Sequence, residues 1–198
     1  EMHSEKSINL LKQSGIDFNA HRDRGIDPIR FGELFITSGL AFLDNVKWIS
    51  FHSNYDFAYL LKVMTAQALP NEEREFFNLL RAYFPYIYDI KHMIISCKNL
   101  KNRGLSDIAS ILALKRTGNQ HQAGSDSLLT GDVFFKIRQV HFDGIIDDSK
   151  YCGVIYGLTN VWPSVSISSD DSSISLSTVS SASSSSSSIR TSTSGLEI

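Results

Sequence analysis

Two short apolar stretches limit what this chain can fold into. Residues 46–51, with Val46, Trp48, Ile49 and Phe51, and residues 86–90, with Tyr86, Ile87, Tyr88 and Ile90, are too brief for buried helices. Their β-branched and aromatic side chains make each a strand. The segments around them carry helical spacing instead. Residues 5–14 place Ile8 and Leu11 on one side with Gly15 as a stop, and Asp27-Pro28 caps a helix over residues 29–38 that Gly39 closes. Further helices are expected over residues 56–67, from Asn71 to Phe84, over 91–97 and over 104–114. A long helix over residues 125–142 would bury Leu129, Val133, Phe134, Ile137 and Val140. Strands separated by helices imply an α/β layered fold. Two strands cannot cover so many helical faces, so the remaining strands are expected before Glu1, and the opening Glu1-Met2 reads as a cut through a longer frame.

With 198 residues and 42% apolar content, the chain can build one ordinary core. Residues 1–160 form that domain. From residue 161 to 198 serine dominates, which predicts a disordered tail. A net charge of -2 excludes a global basic field, so contact with nucleic acid must be local. Cys97 and Cys152 lack a Cys-x-x-Cys pattern and sit among apolar residues, as buried thiols of a reducing compartment do. No apolar run reaches the roughly 18 residues of a membrane span, and no membrane partner is expected.

Chemistry concentrates at two places. In His121-Gln122-Ala123-Gly124-Ser125-Asp126, a loop histidine precedes an aspartate at the start of the long helix. In Phe51-His52-Ser53-Asn54-Tyr55-Asp56, a strand hands over to a helix beside a second aspartate. Two carboxylates are half of a two-metal site, in which oxygen ligands hold paired divalent cations, and a nearby histidine can take a proton from water. The remaining polar candidates favour structure. His52 lies in an aromatic run and reads as packed and hydrogen-bonded. Asp89 reads as a cap for the helix after it. His92 and His141 lack carboxylate partners, and Phe76, Phe77, Tyr83 and Phe84 keep core spacing although aromatics can stack on bases. Lys98, Lys101 and Arg103 suit either a solvated turn or an RNA-steering patch.

Four blocks in the same order carry a resemblance: Trp48-Ile49-Ser50-Phe51-His52-Ser53-Asn54-Tyr55-Asp56-Phe57, Ser96-Cys97-Lys98-Asn99-Leu100, Gln120-His121-Gln122-Ala123-Gly124-Ser125-Asp126-Ser127-Leu128-Leu129-Thr130-Gly131 and Asp147-Asp148-Ser149-Lys150-Tyr151-Cys152-Gly153. Together they closely resemble the Caf/Pop deadenylase family, which supplies a catalytic subunit of the Ccr-Not complex. The likeness runs from about residue 2 to 158. It implies a ribonuclease H-like exonuclease fold of the DEDD type, here missing its early strands. It also implies a 3′-to-5′ exoribonuclease that shortens mRNA poly(A) tails and releases AMP, using two Mg2+ ions, with Mn2+ as an alternative.

In this resemblance Asp56 takes the place of the family's third metal-site acid and Asp126 that of the fourth. His121 takes the place of the general base. The family's first two acids lie in an Asp-Thr-Glu segment, and these 198 residues contain no Asp-x-Glu. The chain alone is therefore expected to bind metal weakly and to be inactive, and a non-catalytic interaction module is the rival reading. Lys101-Asn102-Arg103-Gly104 also departs from the family's paired glycines. The implied partners are poly(A) RNA, a Ccr-Not scaffold, a second deadenylase subunit and anti-proliferative regulators, in nucleus and cytoplasm.

Overall fold

The structure is a computed structural model that describes residues 4–158. The serine-rich tail and the domain boundary expected near residue 160 lie outside the described residues. Three helices come first: α1 (Glu5–Gln13), α2 (Phe18–Arg24) and α3 (Pro28–Thr37). Each starts on a side-chain cap, from Ser4, Asp17 and Asp27 respectively. Helix α2 was not anticipated. Asp17 Oδ1 accepts from the amides of Asn19 and Ala20 at 3.0 Å, starting a turn too short to show periodicity.

Strand β1 (Lys47–Ser50) leads into α4 (Asn54–Thr65), and α5 (Glu73–Tyr83) returns the chain to β2 (Tyr86–Asp89). The strands pair in parallel, with Lys47 opposite Tyr86 and Ser50 opposite Asp89. A helical crossover between parallel strands is the α/β unit expected from the sequence. Ile90 opens α6 (Ile90–Met93) rather than extending the strand, and a 3₁₀ turn over Ile94–Ser96 continues it, in place of one helix over 91–97. Then come α7 (Leu105–Ile111), α8 (Ala123–His141) and α9 (Asp148–Tyr151).

Period-two alternation along β2 separates the core into two layers. Ile87 belongs to a cluster with Phe57, Leu61, Phe77, Leu80 and Phe84, on the side of α4 and α5. Tyr88 faces the other way, into a cluster with Ile94, Leu100, Ile108, Leu129, Val133 and Ile137. Phe76, Phe77 and Phe84 are thus core residues, not a base-stacking platform. On α8 the buried stripe ends at Ile137, because Val140 is 46% exposed. An antiparallel bridge joins Tyr88 to Cys152 on the far side of β2. Among the described residues, β1 pairs only with β2.

Helices α3 and α4 approach closely at Gly32. A Cβ there would lie 2.7 Å from the carbonyl oxygen of Val63. That neighbour is helical backbone and cannot swing aside, so Gly32→Ala is expected to destabilise the domain by about 2 kcal/mol through overpacking. Urea denaturation checks this, and a higher midpoint would show that α3 is free to shift.

Burial and then the hydrogen bond donated to Asp148 Oδ1 at 2.7 Å hold the Tyr88 phenol protonated well above its ordinary range. Cys97 and Cys152 are free and half-buried. Burial pushes both thiols up, as expected for packing cysteines rather than reactive ones.

Candidate active site

The turn after β1 builds one wall of a cleft. His52 adopts a φ of +59°, and its amide donates to Asp89 Oδ1 at 2.7 Å. The His52 ring is exposed and meets Tyr156 edge-on at 5.1 Å. The packed histidine expected from the aromatic run is therefore anchored by its backbone, while its ring lies at the surface. Ser53 is buried, its hydroxyl 2.6 Å from that of Ser50, and it precedes α4. Asp56 follows in the first turn of α4 and is exposed.

The opposite wall is the loop joining α7 to α8. It turns through three left-handed positions, Ala113, Gly118 and His121, with φ of +57°, +85° and +62°. Gly118 is required here, since a Cβ would sit 3.3 Å from Ser125 Cβ. Helix α8 starts at Ala123, two residues before the expected start, which puts Asp126 in its first turn. Both aspartates thus lie where the positive ends of α4 and α8 favour a carboxylate.

A cleft of about 710 Å³ is lined by Asp56, His121 and Asp126 together. The three residues singled out in the sequence, the first 65 positions before the second, converge in space. The imidazole of His121 is exposed and makes no hydrogen bond among the described residues. Ser106, Asp107, Gln120 and Thr130 share the wall, with Asp107 Oδ2 accepting from the Gly104 amide at 3.4 Å.

Arg116 also lines this cleft and was missed in the sequence. Its Nη1 donates to Asp126 Oδ1 at 2.5 Å and to Ser125 Oγ at 3.1 Å, and its Nη2 to Ser106 Oγ at 3.2 Å. An arginine ten residues before an aspartate has no spacing signal, so only the fold brings the pair together. Asp89 does not face the cleft: it is fully buried and caps α6 through the Lys91 amide at 2.9 Å, as expected. Lys98, Lys101 and Arg103 are exposed, His141 is exposed, and His92 packs beside Tyr151.

Oxygen ligands from Asp56 and Asp126 are of the kind Mg2+ and Mn2+ prefer. Among the described residues, however, no group of three His, Cys, Asp or Glu side chains is placed to hold an ion. One of the two carboxylates is already engaged by a guanidinium. Among the described residues, Asp56 and Asp126 supply only part of the oxygen set that a pair of divalent cations needs.

Residues 40–134 match the model of the family described as CAF1 family ribonuclease. This segment belongs to the CAF1 ribonuclease family. At 52% identity over 158 residues, the chain is similar to poly(A) ribonuclease pop2 of Schizosaccharomyces pombe, covering 80% of this chain and 47% of that one. It is 46% identical to probable CCR4-associated factor 1 homolog 10 of Arabidopsis thaliana, covering 80% and 56%. The chain therefore spans about half the length of these curated relatives. Among solved structures, the Mg2+- and Mn2+-bound form of S. pombe Pop2p superposes with a TM-score of 0.75 at 52% identity, over 80% of this chain and 62% of that one. CAF1 co-crystallized with the yeast NOT1 MIF4G domain gives 0.64 at 31% identity, over 79% and 61%. The mixed α/β fold is that of the CAF1-family RNase domain.

Proposed function

We propose that this CAF1-family domain acts in a poly(A)-specific 3′-to-5′ exoribonuclease that shortens mRNA tails and releases AMP. One observation carries the reading: Asp56, His121 and Asp126, the residues matched to the family's blocks, line one cleft. In that cleft His121 takes the proton of the attacking water, and Asp126 is held at the wall by Arg116. A need for Mg2+ or Mn2+ rests on the Pop2p relative, whose structure holds both. Besides poly(A) RNA, a NOT1-type scaffold, a second deadenylase subunit and anti-proliferative regulators are the proposed partners, in nucleus and cytoplasm.

Among the described residues no third side chain is placed to complete an ion site, which favours a second reading, a non-catalytic module that binds a Ccr-Not scaffold. Incubation of an A-tailed RNA with Mg2+ separates the two. The 198-residue chain is expected to leave the tail intact, whereas the same domain joined to an Asp-Thr-Glu segment should shorten it and release AMP. Shortening by the 198-residue chain that disappears in Asp126→Ala would refute the expected inactivity. An inert joined protein would leave the module reading in place of the enzyme.

A further inference from the structure

The resemblance assigns Asp126 to a metal-site acid, yet this chain already sets a cation of its own against it. Arg116 has only 17% of its side chain exposed, against 37% for Asp126. A guanidinium so far withdrawn from water needs partners to offset its desolvation. It finds them on two elements: Ser106 in the first turns of α7, and Ser125 and Asp126 in the first turn of α8. Ser106 Oγ is itself held by Gln120 Nε2 at 2.5 Å, so the network is braced from the loop that carries His121.

The contact to Asp126 uses one oxygen. Nη1 binds Oδ1, while Oδ2 has no protein hydrogen-bond partner among the described residues. Arg116 is thus neither a simple surface ion pair nor a fork that occupies both carboxylate oxygens. It fixes the side-chain rotamer, leaves one oxygen to the cleft and neutralises the charge that would attract an added cation.

We infer that Arg116 is a positioning residue for Asp126 and its resident counter-cation, and that it opposes divalent-cation binding in this cleft. A dication at Oδ2 meets a positive guanidinium on the same carboxylate, and the repulsion is only partly screened at a half-exposed site. This rests on the proposed cation-binding character of the cleft but not on RNA cleavage.

Titration of the 198-residue chain with Mn2+, read by loss of the free-ion paramagnetic signal, provides the test. Arg116→Met is expected to bind Mn2+ about tenfold more tightly than the unsubstituted chain. Its thermal midpoint should be lower in EDTA and rise with Mn2+, while that of the unsubstituted chain stays nearly constant. Arg116→Lys keeps the charge but cannot span Ser106, Ser125 and Asp126 together, so its affinity should fall between the two. It also serves if Arg116→Met does not fold. Unchanged or weaker affinity in the folded variants would overturn the counter-cation role alone. No Mn2+ binding by any form would overturn both that role and the cation reading of the cleft, without bearing on RNA cleavage by a longer protein.

Discussion

Asp89→Ala is expected to destabilise the domain by about 4 kcal/mol, a large part of the roughly 5–15 kcal/mol that holds a typical domain together. The side chain is fully buried, and its charge is met by backbone amides. Oδ1 accepts from His52 at 2.7 Å and Lys91 at 2.9 Å, and Oδ2 from Tyr156 at 3.1 Å and Ser53 at 3.4 Å. Hydrogen bonds to a charged group contribute about 1.5–3 kcal/mol each, and loss of a helix cap about 1 kcal/mol. These contributions share one carboxylate and do not add fully. Alanine would leave four amides without their acceptor, on the turn after β1, at the start of α6 and in the last described segment. Asp89→Asn keeps one acceptor oxygen but turns donors toward donors, so about half the loss is expected. Guanidinium unfolding followed by circular dichroism measures both. An Asp89→Ala unfolding free energy within about 0.5 kcal/mol of the parent would mean that water replaces the carboxylate at these amides.

The effect should reach the cleft as well, because Asp89 pins the left-handed turn at His52 that delivers Ser53 and Asp56 to α4. Capping by Asp89 was legible in the sequence, since Lys91 lies two residues away. The other three bonds were not. They join residues 36, 37 and 67 positions apart, and such pairings leave no periodic trace in a chain. The strands, α4, α5 and α8 were legible for the opposite reason, since their apolar spacing repeats within each element. Val140 keeps helical phase with Ile137 and yet lies exposed.

The site divides in the same way. Asp56, His121 and Asp126 came from motif blocks, and the structure brings all three to one cleft. Arg116 required the third dimension. It belongs to an irregular loop, and its partners Ser106 and Ser125 carry hydroxyls that elsewhere would be ordinary helix-start residues. Among the described residues, β1 has β2 on one side alone. An open edge of this kind ordinarily needs cover.

In a protein that shortens A-tailed RNA, His121→Asn should lower the rate by roughly 10²–10⁴-fold, the range lost with a positioned general base. Asparagine suits the test better than alanine because His121 holds a φ of +62°, and asparagine is among the residues that best tolerate that conformation. The backbone should therefore stay in place while the proton acceptor is lost. The affinity for RNA should change little, since the proton moves only as water attacks, so the loss should fall on kcat with KM nearly constant. Single-turnover decay of a 5′-labelled A-tailed RNA reads the chemical step directly. Folding is expected to be preserved, because the exposed ring makes no hydrogen bond among the described residues. A rate within about threefold of the parent would remove His121 from proton transfer and leave activation of the water to a carboxylate of the cleft.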